Sequence, residues 1–426
     1  MEQQAIWAIA IFLTTYGMII AEKIHRTVTA MIGAVLMITF GIIDQETAIH
    51  HIDFNTLGLL IGMMIIVNIM ADTGIFKYLA LIAAKKAKGE PIRILLSLML
   101  ITAIGAAFLD NVTTVMLMVP VTFSITRQLR MNPIPFLITQ ILASNIGGTA
   151  TLIGDPPNIM IGSAVKELTF LAFITNLSPI IAVVLAVTMP ILVIVFRKQL
   201  HTSKALKQSL QLLDEKELIT NQPLLIKSLS VLGITIIGFF LHQPLHLESA
   251  TIALAGAFLL LLLTGEHAME NAFSKVEWTT IFFFVGLFIL VSGLIETGVI
   301  SKLAIHAMEL TGGNIVAASM LILWLSAFAS AFVDNIPFVA TMIPLIQEMG
   351  KLGIHDLEPV WWSLALGACL GGNGTLIGAS ANLIVAGLAG KEGYPIKFLT
   401  FVKYGFPVML LSVFLSGIYI YIRYLS

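Results

Sequence analysis

Asn145-Ile146-Gly147-Gly148-Thr149-Ala150-Thr151-Leu152-Ile153-Gly154-Asp155-Pro156-Pro157-Asn158 interrupts the apolar run 134–162 with three glycines and two prolines. No unbroken helix holds such a series, because proline removes a backbone donor and clashes with the preceding turn, while glycine weakens the helix. A second break, Gly371-Gly372-Asn373-Gly374-Thr375-Leu376-Ile377-Gly378-Ala379-Ser380-Ala381-Asn382, keeps the glycines and the asparagine but drops the prolines and the aspartate. Unwound backbone inside an apolar run is tolerated only where it lines a cavity or is buried in protein. Close helix packing accounts for Gly147-Gly148 alone, but not for Asp155-Pro156-Pro157 beside them.

Working outward, the two breaks belong to a duplication. Residues 52–162 align with 276–386 without a gap, at a constant offset of 224. Gly62 meets Gly286, Asp110-Asn111 meets Asp334-Asn335, Pro120 meets Pro344 and Asn158 meets Asn382. Apolar helices match leucines and alanines by chance, but not polar residues and glycines in fixed register. Each half holds five spans, and an odd number of crossings predicts that the second half enters the membrane inverted. Inverted repeats with broken helices are the architecture of secondary transporters.

The stretches 92–126 and 315–347 read differently from the other spans. Between Arg93 and Arg127, 16 apolar residues precede Asp110-Asn111 and 15 follow. Arms of that length reach ~24 Å, short of the ~30 Å hydrocarbon core, so both stretches are expected to be re-entrant hairpins. The fold class is therefore all-α integral membrane, with ten spans near 5–21, 27–43, 55–75, 134–162, 170–195, 228–241, 250–264, 278–295, 359–389 and 400–422. The expected units are a first repeat, 1–196, a polar linker, 197–227, and a second repeat, 228–426.

Composition agrees, with 58% hydrophobic and 11% charged residues and a mean hydropathy of +0.97, which exclude a water-facing surface. A net charge of -1 offers no basic excess for nucleic acid, and the single Cys369 excludes an intrachain disulfide framework. Residues 1–4 carry no basic leader, so the first run is read as a retained span. With an external N-terminus, 19 of 23 Lys plus Arg, Lys23 and Arg26 among them, fall on the side of the linker. The positive-inside rule makes that side cytoplasmic, and a cell-membrane location is expected.

Carboxylates at membrane depth are costly and mark ion or proton pathways. Asp110, Asp155 and Asp334 are the candidates, and Asp110 and Asp334 equally suit the N-caps of the helices that follow them. Around them Asn111, Thr113, Asn145, Thr149, Thr151, Asn158, Asn335, Asn373, Thr375 and Asn382 offer hard oxygens. Gly147, Gly148, Gly371 and Gly372 free the carbonyls of the breaks. Such oxygens suit a cation such as Na+, and a carboxylate that accepts either a proton or a cation gives the simplest antiport chemistry. No structural metal or cofactor is expected. An enzyme is set aside because no catalytic His and no His-Glu-x-x-His pair accompanies the aspartates. No phosphate-binding Gly-x-x-x-x-Gly-Lys-Ser/Thr loop is present to couple ATP directly. A channel framed by the two halves stays open as an alternative.

The tip Phe108-Leu109-Asp110-Asn111-Val112-Thr113-Thr114, followed by the break 145–158, resembles the ArsB/NhaD group of the ion transporter superfamily, on the branch of the pink-eyed-dilution P protein. The resemblance covers nearly the whole chain. It implies a scaffold, a transport domain carrying both hairpins, an elevator-like movement and a homodimer. The related dicarboxylate/sodium symporters carry Ser-Asn-Thr at each tip, where this chain has Asp110-Asn111-Val112-Thr113 and Asp334-Asn335-Ile336-Pro337. Two added negative charges oppose a dianion. The implied activities are thus Na+/H+ exchange first, with arsenite or antimonite efflux as the alternative, in which a separate ATPase subunit is a possible partner. A citrate-like organic anion ranks behind both.

Overall fold

The computed structural model describes every residue except Met1, Glu22 and Leu213, and omits the side chains of Glu2, Lys216, Glu266, His267 and Ala268. Met1 at the start of the first run, Leu213 of the linker and the Lys216 side chain therefore lie outside the described residues. The first half contains α1 (Glu2–Ala21), α2 (Arg26–Thr39), α3 (Gln45–His50), α4 (Phe54–Ala71), α5 (Ile75–Lys86), α6 (Pro91–Leu109), α7 (Asn111–Gln128), α8 (Ile134–Gly148), α9 (Pro156–Ala164) and α10 (Phe170–Phe196). After α11 (Lys204–Gln211) come α12 (Gln222–Leu241), α13 (Ser249–Thr264), α14 (Glu266–Ser274), α15 (Trp278–Glu296), α16 (Val299–Thr311), α17 (Ile315–Phe332), α18 (Asn335–Lys351), α19 (Glu358–Gly371), α20 (Ser380–Lys391) and α21 (Phe398–Ile420). The helices α4 to α9 each begin 224 residues before their counterparts α15 to α20. No strand occurs among the described residues.

Local chemistry sets the helix ends. Asp53 accepts from the Asn55 and Thr56 amides to start α4, Asn314 starts α17 in the same way, and Pro156 and Pro157 open α9 where their missing donors cost nothing. Eight helices are long and apolar enough to cross a bilayer, and the shorter α2, α8 and α13 are also apolar. The chain is an all-α integral membrane protein.

Two packed groups result. In one, the halves are exchanged: α2 lies against α15, and α13 against α4. Glycine makes both approaches possible. A Cβ on Gly62 would sit 2.6 Å from the Ala253 carbonyl carbon, and one on Gly286 would sit 2.8 Å from that of Ala30. The second group is built from α6 on α8 and α17 on α19, with α10 and α21 alongside. The arms of its two hairpins have 19, 18, 18 and 17 residues, or ~26–29 Å. They are longer than their apolar counts suggested, so arm length does not by itself set the hairpins apart from spans. What sets them apart is that both turns stop beside the breaks.

The linker is ordered against the first half. Thr202 donates to the Leu129 carbonyl at 2.7 Å, Lys207 pairs with Glu90 at 2.7 Å, and Thr220 donates to the Asp72 carbonyl at 2.8 Å. The Lys207 ammonium holds the Glu90 carboxyl below its usual range. Because α12 begins at Gln222, the last residues of 197–227 are helical.

Candidate functional site

One bond from each break to its hairpin is the same in both halves, and an asparagine ties each break to itself. Thr151 donates to the carbonyl of Ala107, and Thr375 donates to that of Ala331. Asn158 donates to the carbonyls of Thr149 and Thr151 at 3.1 and 2.9 Å. Asn382 donates to those of Gly372 and Thr375 at 2.7 and 2.9 Å. These side-chain donors satisfy backbone carbonyls that the unwound segments leave without helical partners. A Cβ on Gly147 would lie 2.0 Å from the Ala103 oxygen, and one on Gly371 would lie 2.6 Å from the Ala327 oxygen. Gly148 and Gly372 crowd the Gly154 and Gly378 carbonyls in the same manner.

Between the halves runs a buried amide relay. Asn111 donates to Asn145 Oδ1 at 3.2 Å, and Asn145 donates to Asn373 Oδ1 at 3.0 Å and to Asn382 Oδ1 at 2.9 Å. Thr149 donates to the Asn145 carbonyl at 2.7 Å. Most of the oxygens expected to face a ligand are thereby engaged within the protein. Asn111 Oδ1 and Asp155 Oδ2 are buried and have no partner.

Both tip aspartates do cap their helices. Asp110 accepts from the Thr113 amide at 2.8 Å and from its hydroxyl at 2.7 Å, and Asp334 accepts from the Ile336 amide at 3.1 Å. Beyond the cap they differ. Asp334 Oδ2 lies 2.6 Å from Arg26 Nη1 and 2.9 Å from Ser380 Oγ. Neither Asp110 nor Asp155 forms an ion pair among the described residues. Asp155, 1% exposed, accepts from Asn335 Nδ2 at 3.4 Å through Oδ1.

A cavity of about 40 Å³ joins these groups, lined by Asp110, Asn111, Asp155 and Asn335 together with Arg26 and Glu277. It has room for one ion or water. No cluster of three His, Cys, Asp or Glu residues suited to a bound metal occurs among the described residues.

Three members of the site escaped the sequence reading. Arg26 was counted as a loop charge, yet it reaches the second tip, 308 positions away. Glu277 is the repeat counterpart of the capping Asp53 but lines the cavity. Cys369, placed only in an apolar run, donates to Asn158 Oδ1 at 3.5 Å. The register itself carried that signal, because Cys369 stands 224 residues after Asn145, and Asn145 makes the matching contact with Asn382.

The citrate transporter family profile, CitMHS, matches residues 16–367. The chain belongs to this family. Arg26, both tips and the first break lie inside the span matched to CitMHS, and the second break lies beyond it. An uncharacterized transporter of Mycobacterium tuberculosis is 42% identical over 98% of both chains. The P protein of Mus musculus is 35% identical and covers 100% of this chain, which spans 61% of that longer protein. Among solved structures, the YdaH transporter of Alcanivorax borkumensis shares the fold, with a TM-score of 0.59 over 98% of both chains at 11% identity. Like its CitMHS relatives, this chain is a membrane transporter and not an enzyme.

Proposed function

We propose that the chain is a proton-coupled secondary transporter exchanging a small inorganic cation, Na+ first, for protons. The observation that carries this reading is the pair of half-buried Asp110 and buried Asp155 beside a cavity for one ion, neither of them in an ion pair among the described residues. A carboxylate so placed is tolerated when a proton or a cation neutralises it, and alternation between the two is exchange. In this reading α6–α10 and α17–α21 move as an elevator against α1, α2, α4, α12, α13 and α15. The remaining arrangement is two inverted repeats in a plasma-membrane homodimer, with the linker cytoplasmic and the N-terminus external.

The test is Na+ uptake into proteoliposomes under an imposed pH gradient without ATP. Flux that collapses when the gradient is dissipated is expected; no Na+ flux under a verified gradient contradicts the reading. Arsenite or antimonite efflux is the second reading, favoured by the buried Cys369 thiol against Asn158 of the first break, because trivalent arsenic takes soft sulfur ligands. The family description names citrate. A tricarboxylate is disfavoured by the 40 Å³ cavity and by the engagement of Arg26 with Asp334. Arsenite, antimonite and citrate belong in the same assay as competing cargoes.

A further inference from the structure

We propose that Arg26 is a built-in cation filling the second of two repeat-related ion positions, which leaves one exchangeable cation at the first. The proposal rests on the reading of the site as a cation site and assigns its stoichiometry. The register pairs Asp110 with Asp334, Asn111 with Asn335, Asp155 with Ala379 and Pro156 with Ser380. A duplicated ion site would offer two positions, each against a tip aspartate; Arg26 borders the cavity between them but pairs with Asp334 alone, and no ion pair neutralises Asp110 or Asp155 among the described residues.

At the second tip, Arg26 Nη1 lies 2.6 Å from Asp334 Oδ2 and 2.6 Å from Ser380 Oγ, and those two oxygens are themselves 2.9 Å apart. One cationic nitrogen thus bridges a carboxylate and a hydroxyl, as a bound ion would. The guanidinium is steadied over the Phe283 ring, 5.0 Å from its centroid. The second position is thereby neutralised by a side chain of the protein itself. At the first tip, the register replaces Ala379 by Asp155, so two carboxylates converge and no Lys, Arg or His pairs with either. The residue that opens α13, the counterpart of α2, is Ser249, which brings no charge. The fixed cation and the extra carboxylate sit on opposite sides of the symmetry.

Arg26 also comes from α2, in the group that packs with α15, whereas Asp334 and Ser380 belong to the hairpin group. The tethered cation therefore cannot travel with the cargo.

Radiolabelled Na+ binding to the purified full chain tests the count. Wild type and Arg26→Lys are expected to bind one ion per chain, Arg26→Gln a second, and Arg26→Gln with Asp334→Asn one again. One ion in a monodisperse Arg26→Gln protein, or two in wild type, overturns the proposal and leaves the cation reading standing. No Na+ bound by wild type overturns both. Should Arg26→Gln fail to fold, the Na+ dependence of wild-type flux decides: a Hill slope of one is expected, and a slope of two removes the tethered cation.

Discussion

The turns at Asp110 and Asp334 occupy the same place in the two halves, and their surroundings have diverged. Asp334 sits in extended backbone, with φ -48° and ψ 135°, and its charge is met by Arg26. Asp110 sits at φ 73° and ψ 157°, a region that glycine alone visits freely and that costs about 1–3 kcal/mol for other residues. Its carboxylate meets only Thr113. Backbone strain and unpaired charge coincide at the first tip, and neither occurs at the second. In the proposed reading, the first copy of this geometry is the reactive one and the second a fixed support.

The largest expected effect that sharpens this contrast is from Asp155→Asn. Removing a carboxylate that a desolvated cation pairs with costs ~2–5 kcal/mol, so pH-driven Na+ flux should fall at least ~30-fold, with protein yield and monodispersity retained. Flux within twofold of wild type would place the exchange elsewhere. Asp110→Asn comes next, because asparagine caps about as well as aspartate. Stability should change by less than about 0.5 kcal/mol while flux drops; Asp110→Ala should lose a further ~1 kcal/mol in thermal unfolding. A stability loss as large in Asp110→Asn would make the charge structural.

Gly147→Ala and Gly371→Ala probe what the halves still share. Each Cβ would collide with a carbonyl oxygen, and overpacking of this kind costs ~1–3 kcal/mol. Thermal unfolding should show both destabilised, and loss at only one would break the equivalence of the breaks. The smallest effect belongs to Thr375→Ala, which removes one hydrogen bond to Ala331, worth ~1 kcal/mol, with Thr151→Ala matching it within error.

Much of the architecture was legible because it was written twice. The offset of 224 located the tips and the breaks, and the helix starts from α4 to α9 keep it, although the short α5 and α16 carry too few apolar residues to read as spans. The cap roles of Asp110 and Asp334 followed from residue type and position. The partition of the asparagines was not legible: spacing shows that Asn145, Asn158, Asn373 and Asn382 are polar and buried, but not that they bond to one another and to the broken backbone. Arg26 was hidden for a different reason. It lies next to a span end, where basic residues usually mark a membrane face, and only the folding of α2 against α15 carries it to the second tip.

The most direct test of the central claim is proton release on Na+ binding by the purified protein in weakly buffered solution. The account predicts that Na+ displaces protons from wild type, that Asp155→Asn releases none, and that Arg26→Lys behaves as wild type. Na+ binding with no proton release, or release unchanged in Asp155→Asn, would contradict it.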